Sequence, residues 1–291
     1  MKEEKMFKIV EKTKIWFIIS AIIMIVALGS LAIKGLNYGI DFVGGTVISI
    51  NMEKSYQIDK VRNIVGSFDK SAQVQSVEGN EVSIRSNNLS DKDITALFSE
   101  VKKEFKLKDK QPLKTERIGP SVGKELTQKA FLSALVAIIG ILIYISFRFE
   151  WRFGVAAIIS LLHDLVIVVG IFSLFQIPIN SSFMAAVLTI LGYSINDTVV
   201  VFDRIRENSR KKLYKNNIML GDASLTQTMA RSINTVLTVL IAITTLYIFG
   251  VSAIKEFTLP LMIGIGFGGY SSIFIAVPVW VKLADKYKKK L

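Results

Sequence analysis

Six long apolar runs cross the chain, at residues 15–33, 130–147, 153–175, 183–202, 232–254 and 257–281, each of 18 to 25 residues. At roughly 1.5 Å per helical residue, each is long enough to span about 30 Å of hydrocarbon. The pattern predicts a polytopic α-helical membrane protein with six transmembrane helices. Between the first and second runs, over residues 34–129, the period changes to the short alternations of a folded α+β domain. Residues 46–52 read as a strand carrying Val47, Ile48 and Ile50. Residues 57–68 read as a helix, with Ile58, Val61, Ile64, Val65 and Phe68 at helical spacing. Residues 72–77 and 81–85 form a hairpin turned at Glu78-Gly79-Asn80. Residues 91–105 are a second helix, N-capped by Ser90, with Ile94, Leu97, Phe98, Val101 and Phe105 on one face. Residues 113–118 close the domain as a strand. The order β-α-β-β-α-β is that of a ferredoxin-like domain, and by itself it carries no function.

Charge gives this layout a direction. The tail 1–14, the loop 148–152, the segment 203–231 and the tail 282–291 together hold 19 lysines and arginines, whereas 176–182 and 255–256 together hold 1. Long domains translocate regardless of charge, so the cations of 34–129 do not count. Both termini are therefore expected on the cytoplasmic side, and the α+β domain is extracytoplasmic. Ser30-Leu31-Ala32 has the look of a cleavage site, but an apolar run of 19 residues is longer than a signal-peptide core and reads as an uncleaved span.

Composition narrows the chemistry. The chain is 51% hydrophobic, which points to the membrane. It has no cysteine and one histidine, His163, which excludes a disulfide framework, a thiolate metal site and any multi-histidine site. The net charge of +12 is accounted for by cytoplasm-facing cations rather than by nucleic acid. Gly119-Pro-Ser-Val-Gly123-Lys124 resembles a phosphate loop, but its glycines are one residue too close and Glu125 stands where Ser or Thr should hold magnesium. Work done by this chain must draw on energy other than its own ATP hydrolysis. No nucleophile, base and orienting group stand at catalytic spacing, which argues against an enzyme, and no cofactor or metal is expected.

Charged groups inside the spans are the candidates for function, because each costs about 2.5–3.5 kcal/mol on insertion scales. Asp197 lies in the fourth run beside Asn196, about 9 Å of helix from Asp203. Thr189, Tyr193, Asn196 and Asp197 fall in one stripe, and Arg231, Asn234, Thr235, Thr238 and Thr245 form a matching stripe on the fifth run. Asp197 reads either as an ion-coupling carboxylate or as a hydrogen-bonded structural one. Arg231 reads either as its partner or as an anchor among headgroups. His163-Asp164, in the middle of the third run, reads either as a proton relay or as an interhelical hydrogen-bond centre. In the sixth run, Gly264 and Gly268 form a small-xxx-small pair for close helix contact, and Pro260 and Pro278 are expected to kink it. Asp203, Arg204, Arg206, Glu207 and Arg210 form a charged helical extension that reads as a solvated face or as a docking surface.

Several stretches, taken in order, resemble the SecF family of protein translocase subunits. They are Gly35-Leu-Asn-Tyr-Gly-Ile-Asp-Phe-Val-Gly-Gly-Thr46, Ile118-Gly-Pro-Ser-Val-Gly-Lys-Glu-Leu126 and Phe147-Arg-Phe-Glu-Trp-Arg-Phe153. Gly192-Tyr-Ser-Ile-Asn-Asp-Thr-Val-Val-Val-Phe-Asp-Arg-Ile-Arg-Glu-Asn208 and Arg231-Ser-Ile-Asn-Thr235 complete the set. The resemblance implies kinship with resistance-nodulation-division transporters and a place in the cytoplasmic membrane of a bacterium or archaeon. It also implies partnership with SecD, association with the SecYEG channel and with SecA and YidC-like proteins, and contact with exported, unfolded polypeptide. Its implied role is to use the proton or sodium gradient to complete export after the ATP-driven step. The family's transmembrane aspartate falls on Asp197 and its arginine on Arg231. Two other readings stay open: a structural subunit that moves no ion, and half of a small-molecule efflux transporter.

Overall fold

The computed structural model describes residues 6–77, 80–212 and 214–287. Glu78 and Gly79, the first two residues of the expected hairpin turn, lie outside them. The chain begins with α1 (Thr13–Lys34), the short α2 (Ile40–Val43) and β1 (Gly45–Asn51). It continues through α3 (Ile58–Phe68), β2 (Gln73–Val77), β3 (Glu81–Ser86), α4 (Asp91–Phe105) and β4 (Lys114–Ile118). Five long helices follow: α5 (Pro120–Arg148), α6 (Trp151–Leu174), α7 (Ser181–Arg210), α8 (Asn217–Phe249) and α9 (Ser252–Ser271). A π-helical turn (Ser272–Ala276) then leads into α10 (Val277–Lys286). Among the described residues, six helical stretches are long and apolar enough to cross a membrane, the last being the continuous run α9–π–α10.

The α+β domain is one antiparallel sheet in the order β2-β3-β1-β4, with α3 and α4 supplying its helical layer. That order is the ferredoxin-like arrangement. Alternation decides which face is buried: Ile48, Ile50, Val82 and Ile84 point onto Val61, Val65, Leu97 and Val101 in one apolar core. Ser90 caps α4 through a reciprocal box with Asp93. Asp69, just past α3, accepts hydrogen bonds from the Ser71 backbone N–H at 2.8 Å, the Ser71 hydroxyl at 2.6 Å and the Ser86 hydroxyl. Burial pushes its carboxyl up, but the hydrogen bonds from Ser71, Ser86 and Asn88 outweigh burial and hold it below the ordinary value of 3.8. Its contribution to stability is therefore present above the unfolded value and is lost as pH falls through the lower folded value. We expect Asp69→Ala to lower the melting temperature of the domain clearly at about pH 6 and progressively less below about pH 3.5. A difference that stays constant across this range would show that the carboxylate charge plays no part.

The bundle divides into a buried centre of α6, α7 and α9–π–α10 and a periphery of α1, α5 and α8. Small residues set the close approaches. Ala27 of α1 lies against Gly170 of α6. A methyl group at Gly264 would collide with the Ile190 side chain of α7, and one at Gly268 would meet Ser194 Cβ at 3.2 Å, so the backbone of α9 packs directly on α7 side chains there. Gly269 in turn faces Val236 of α8.

The helix limits differ from the sequence expectation in three places, the first being the second span, where α5 begins at Pro120, ten residues before the expected 130. The fifth run was read to residue 254, with a turn at Lys255-Glu256. Instead α8 ends at Phe249 and α9 begins at Ser252. Gly250 closes α8 by donating its N–H to the Leu246 carbonyl, and a Cβ at Gly250 would strike that same oxygen. Lys255 and Glu256 thus lie in the opening of α9. In the segment 203–231 the expected helical extension is present, since α7 runs to Arg210, and the part beyond a short connection is helical too, because Asn216 caps α8 by accepting from Met219 N–H at 2.8 Å.

The two ends of the bundle carry different partners. At one end lie the α+β domain, residues 177–181 and the start of α9. At the other, the N-terminal tail is pinned to α8, where Asp222 Oδ1 accepts from the Ile9 and Val10 N–H groups at 2.8 and 2.7 Å.

Candidate functional site

The two buried aspartates occupy unlike surroundings. Asp164, 1% exposed, is saturated: its carboxylate is 3.1 Å from His163 Nδ1 and accepts from the hydroxyls of Ser194 on α7 and Ser271 on α9, both at 2.7 Å. A second layer continues the network, with Thr198 Oγ1 2.8 Å from Ser272 Oγ. Ser271 and Ser272 straddle the entry to the π-helical turn, so two consecutive hydroxyls serve α6 and α7 at once. The His163 ring stacks near Tyr270, centroids 6.1 Å apart, and Tyr270 in turn bonds Ser20 and the Trp16 carbonyl of α1. One centre thereby ties four spans together.

Asp197 is 3% exposed, yet it accepts a hydrogen bond from no described residue, and its Oδ2 is fully buried. The cation whose field reaches it is Arg231, but no ion pair within 4.0 Å joins them among the described residues. Buried polar atoms are nearly always satisfied, so an orphaned carboxylate inside a bundle calls for an explanation.

The stripe expected on α7 does not face one way. Asp197 lies about 100° round the helix from Asn196. Asp197 is buried, Tyr193 is half-buried with its hydroxyl donating to the Thr235 carbonyl at 3.1 Å, and Asn196 and Thr189 are exposed. The stripe thus straddles the edge of the bundle. On α8, Arg231, Asn234, Thr238 and Thr245 are exposed, and the three threonines Thr235, Thr238 and Thr245 spend their hydroxyls on their own helix backbone. Thus α7 leaves Asn196 exposed beside Asp197, and α8 leaves Asn234 exposed one turn from Arg231.

The α+β domain is fastened to the bundle by a junction that the sequence reading missed. Glu256, in the opening of α9, accepts from Arg85 Nη1 at 3.0 and 3.2 Å, from Gln75 Nε2 and from Asn180 Nδ2. Asn180 also caps α7, accepting from Phe183 N–H at 2.9 Å. A cavity of about 230 Å3 borders the junction, with Tyr247 and Lys255 in its wall. On the far side, the Gly39 N–H donates to the Ile179 carbonyl at 2.8 Å and the Ile179 N–H to the Asn37 carbonyl at 2.9 Å, Asp41 accepts from Ser181 N–H at 2.8 Å, and α2 seats against Gly123. Gly45 has φ of +153°, and a Cβ there would meet the Ser86 carbonyl at 2.6 Å, so this turn excludes larger residues. The domain therefore touches α7, the helix that carries Asp197, and α9. We expect Glu256→Ala to raise hydrogen exchange in β2, β3 and residues 177–183 while β1 and α4 keep their protection. Each lost charged hydrogen bond is worth roughly 1.5–3 kcal/mol in a buried setting. Unchanged exchange at those edges would show that the junction holds nothing.

The family model described as protein export membrane protein SecD/SecF, C-terminal, matches residues 98–286, and the SecD/SecF GG motif matches residues 29–55. The Haemophilus influenzae protein translocase subunit SecF is 40% identical over 273 residues, covering 91% of this chain and 82% of that protein. The Bacillus subtilis protein translocase subunit SecDF is 39% identical over 285 residues, covering 96% of this chain and 38% of that longer protein. The crystal structure of SecDF from Thermus thermophilus superposes with a TM-score of 0.81 at 33% identity, covering 98% of this chain and 40% of that one. The matched residues include the glycine-bearing turn after α1, the start of α5 and the whole of α7 to α10, and on that basis the chain belongs to the SecD/SecF family of protein export membrane proteins.

Proposed function

We propose that this chain is the SecF-type accessory subunit of a Sec translocase. In this reading Asp197 alternates between charged and protonated (or ion-bound) forms, and the α+β domain delivers the resulting motion to an exported polypeptide outside the cytoplasmic membrane. The observation that carries the reading is the contrast between the two buried carboxylates. Asp164 is fully hydrogen-bonded, as a structural group must be, whereas Asp197 has no donor among the described residues and stands beside an open helix face. A carboxylate without fixed donors can change its ionisation without breaking the bundle.

The exposed polar edge of α7 and α8 supports a further transmembrane half docking there, as a SecD-type partner would. The relatives support this too, since the chain spans about two-fifths of the SecDF chains that join both halves. The lysine and arginine bias supports cytoplasmic termini and an outer α+β domain. Arg231 biases Asp197 through its field, and Asn196 and Asn234 are polar neighbours for an ion on the shared face. SecYEG is the channel served, with SecA acting before this step and YidC-like proteins as neighbours. An apolar cavity walled by Tyr38, Phe42, Phe131 and Phe183 lies between α2, α5, α6 and α7.

The test is complementation of a strain lacking its own SecF. The wild-type chain should restore export of secreted proteins, and Asp197→Asn should be made, inserted and assembled yet restore none. Full restoration by Asp197→Asn would overturn the reading.

A further inference from the structure

At the end of the bundle away from the α+β domain, a cavity of about 460 Å3 opens between the start of α1 and α10. Its floor is apolar, formed by Val10, Ile218, Pro278 and Val281, and its rim carries Lys12, Lys14 and Lys282. Among the described residues none of these lysines is in an ion pair within 4.0 Å. Lys282 is drawn toward α1, its ammonium 4.2 Å over the Phe17 ring. The two acidic groups at the rim are engaged elsewhere: Glu11 pairs with Lys8 at 3.1 Å, and Asp285 accepts from Asn217 Nδ2 at 2.8 Å.

The placement of the lysines runs against helix electrostatics. Lys12 is the N-cap of α1 and Lys14 lies in its first turn, where the helix dipole is positive; that turn holds no acidic residue and has no side-chain cap. An anion in the cavity would. The surface that leads away from the rim into the membrane level is a strip of exposed Ile15, Ile18, Ile22 and Ile25 on α1. A three-lysine rim, an apolar floor and an aliphatic track match the parts of one molecule.

We propose that this cavity binds an anionic glycerophospholipid, its phosphate among Lys12, Lys14 and Lys282 and one acyl chain along the isoleucines of α1. Basic pockets between spans are the usual seat of such headgroups. A free phosphate would use the lysines but gain nothing from the floor or the track. The lipid joins the first span to the last, at the end where the N-terminal tail is pinned to α8.

The test is native mass spectrometry of the full chain in neutral detergent, titrated with phosphatidylglycerol, phosphatidylcholine or inorganic phosphate. The wild-type chain should retain one phosphatidylglycerol about tenfold more tightly than phosphatidylcholine, and inorganic phosphate should not displace it. Lys12→Gln/Lys14→Gln/Lys282→Gln should abolish the preference, while Lys12→Arg/Lys14→Arg/Lys282→Arg keeps it and confirms that charge is the cause. Lys211→Gln/Lys212→Gln/Lys215→Gln, on the same end of the bundle, should leave it intact. Equal retention of both lipids by the wild type, an undiminished preference in the glutamine variant, or displacement by inorganic phosphate would overturn the proposal.

Discussion

Asp197→Asn is expected to remove the whole ion-dependent component of export while leaving the folded subunit as stable as the wild type. The substitution keeps shape and volume, and because Asp197 accepts no hydrogen bond from the described chain, no native hydrogen bond is lost. Burying an amide in place of a carboxylate also relieves a desolvation cost. What disappears is the charge. One elementary charge carried through 100 mV supplies about 2.3 kcal/mol, equivalent to roughly 50-fold in an equilibrium between two states. A subunit that cannot carry it loses that bias and idles. Asp197→Glu, which retains the charge on a longer arm, is expected to keep part of the activity. Export rate measured with and without a dissipated gradient separates the cases: in Asp197→Asn the two rates should coincide at the lower value.

Asp164 should behave the other way. Replacing it with Ala strips partners from His163 and from the hydroxyls of Ser194 and Ser271, all buried at the contact of α6, α7 and α9. Interhelical hydrogen bonds in membranes are worth about 0.6 kcal/mol on average and up to about 1.7 each, so the two to Ser194 and Ser271 place the loss near 1–3 kcal/mol. Titration with a denaturing detergent should show an unfolding free energy of Asp164→Ala lower by that amount, with the midpoint shifted downward and export failing because the bundle loosens. An unshifted midpoint would mean that the hydroxyls find other partners and that Asp164 is not a structural centre. The pair of outcomes, stable but idle against unstable, distinguishes a coupling carboxylate from a structural one in the same bundle.

The six spans and the sheet order were legible in the sequence because each rests on a strong period: a run of apolar residues the thickness of a bilayer, or alternation around Ile48, Ile50, Val82 and Ile84. Asp197 was legible as costly. Its lack of donors was not, because hydrogen bonding depends on which neighbouring span presents a hydroxyl. Ser194 and Ser271, the partners of Asp164, carry only a weak signal, a small polar residue in an apolar run. The stripe around Asp197 was read as one face because four residues within about 100° of arc look coherent on a helical wheel. The structure cuts through that arc at the bundle edge, leaving Asp197 inside and Asn196 outside. Glu256 escaped notice because a charged pair between two spans reads as a solvated turn. It takes the fold to bring Arg85, Gln75 and Asn180 to it from three other segments. The end of α8 was misplaced because residues 251–254 remain mostly apolar past Gly250, and only backbone geometry at that glycine marks the break.

The most direct test of the account is ion flux in sealed vesicles that hold this chain together with a SecD-type partner, followed with pH- and sodium-sensitive dyes under an imposed potential. The account predicts flux in the wild type that needs the partner and an exported polypeptide and that vanishes in Asp197→Asn. Flux of equal size in Asp197→Asn, or none in the wild type while export is still enhanced, would contradict it and return Asp197 to a purely structural role.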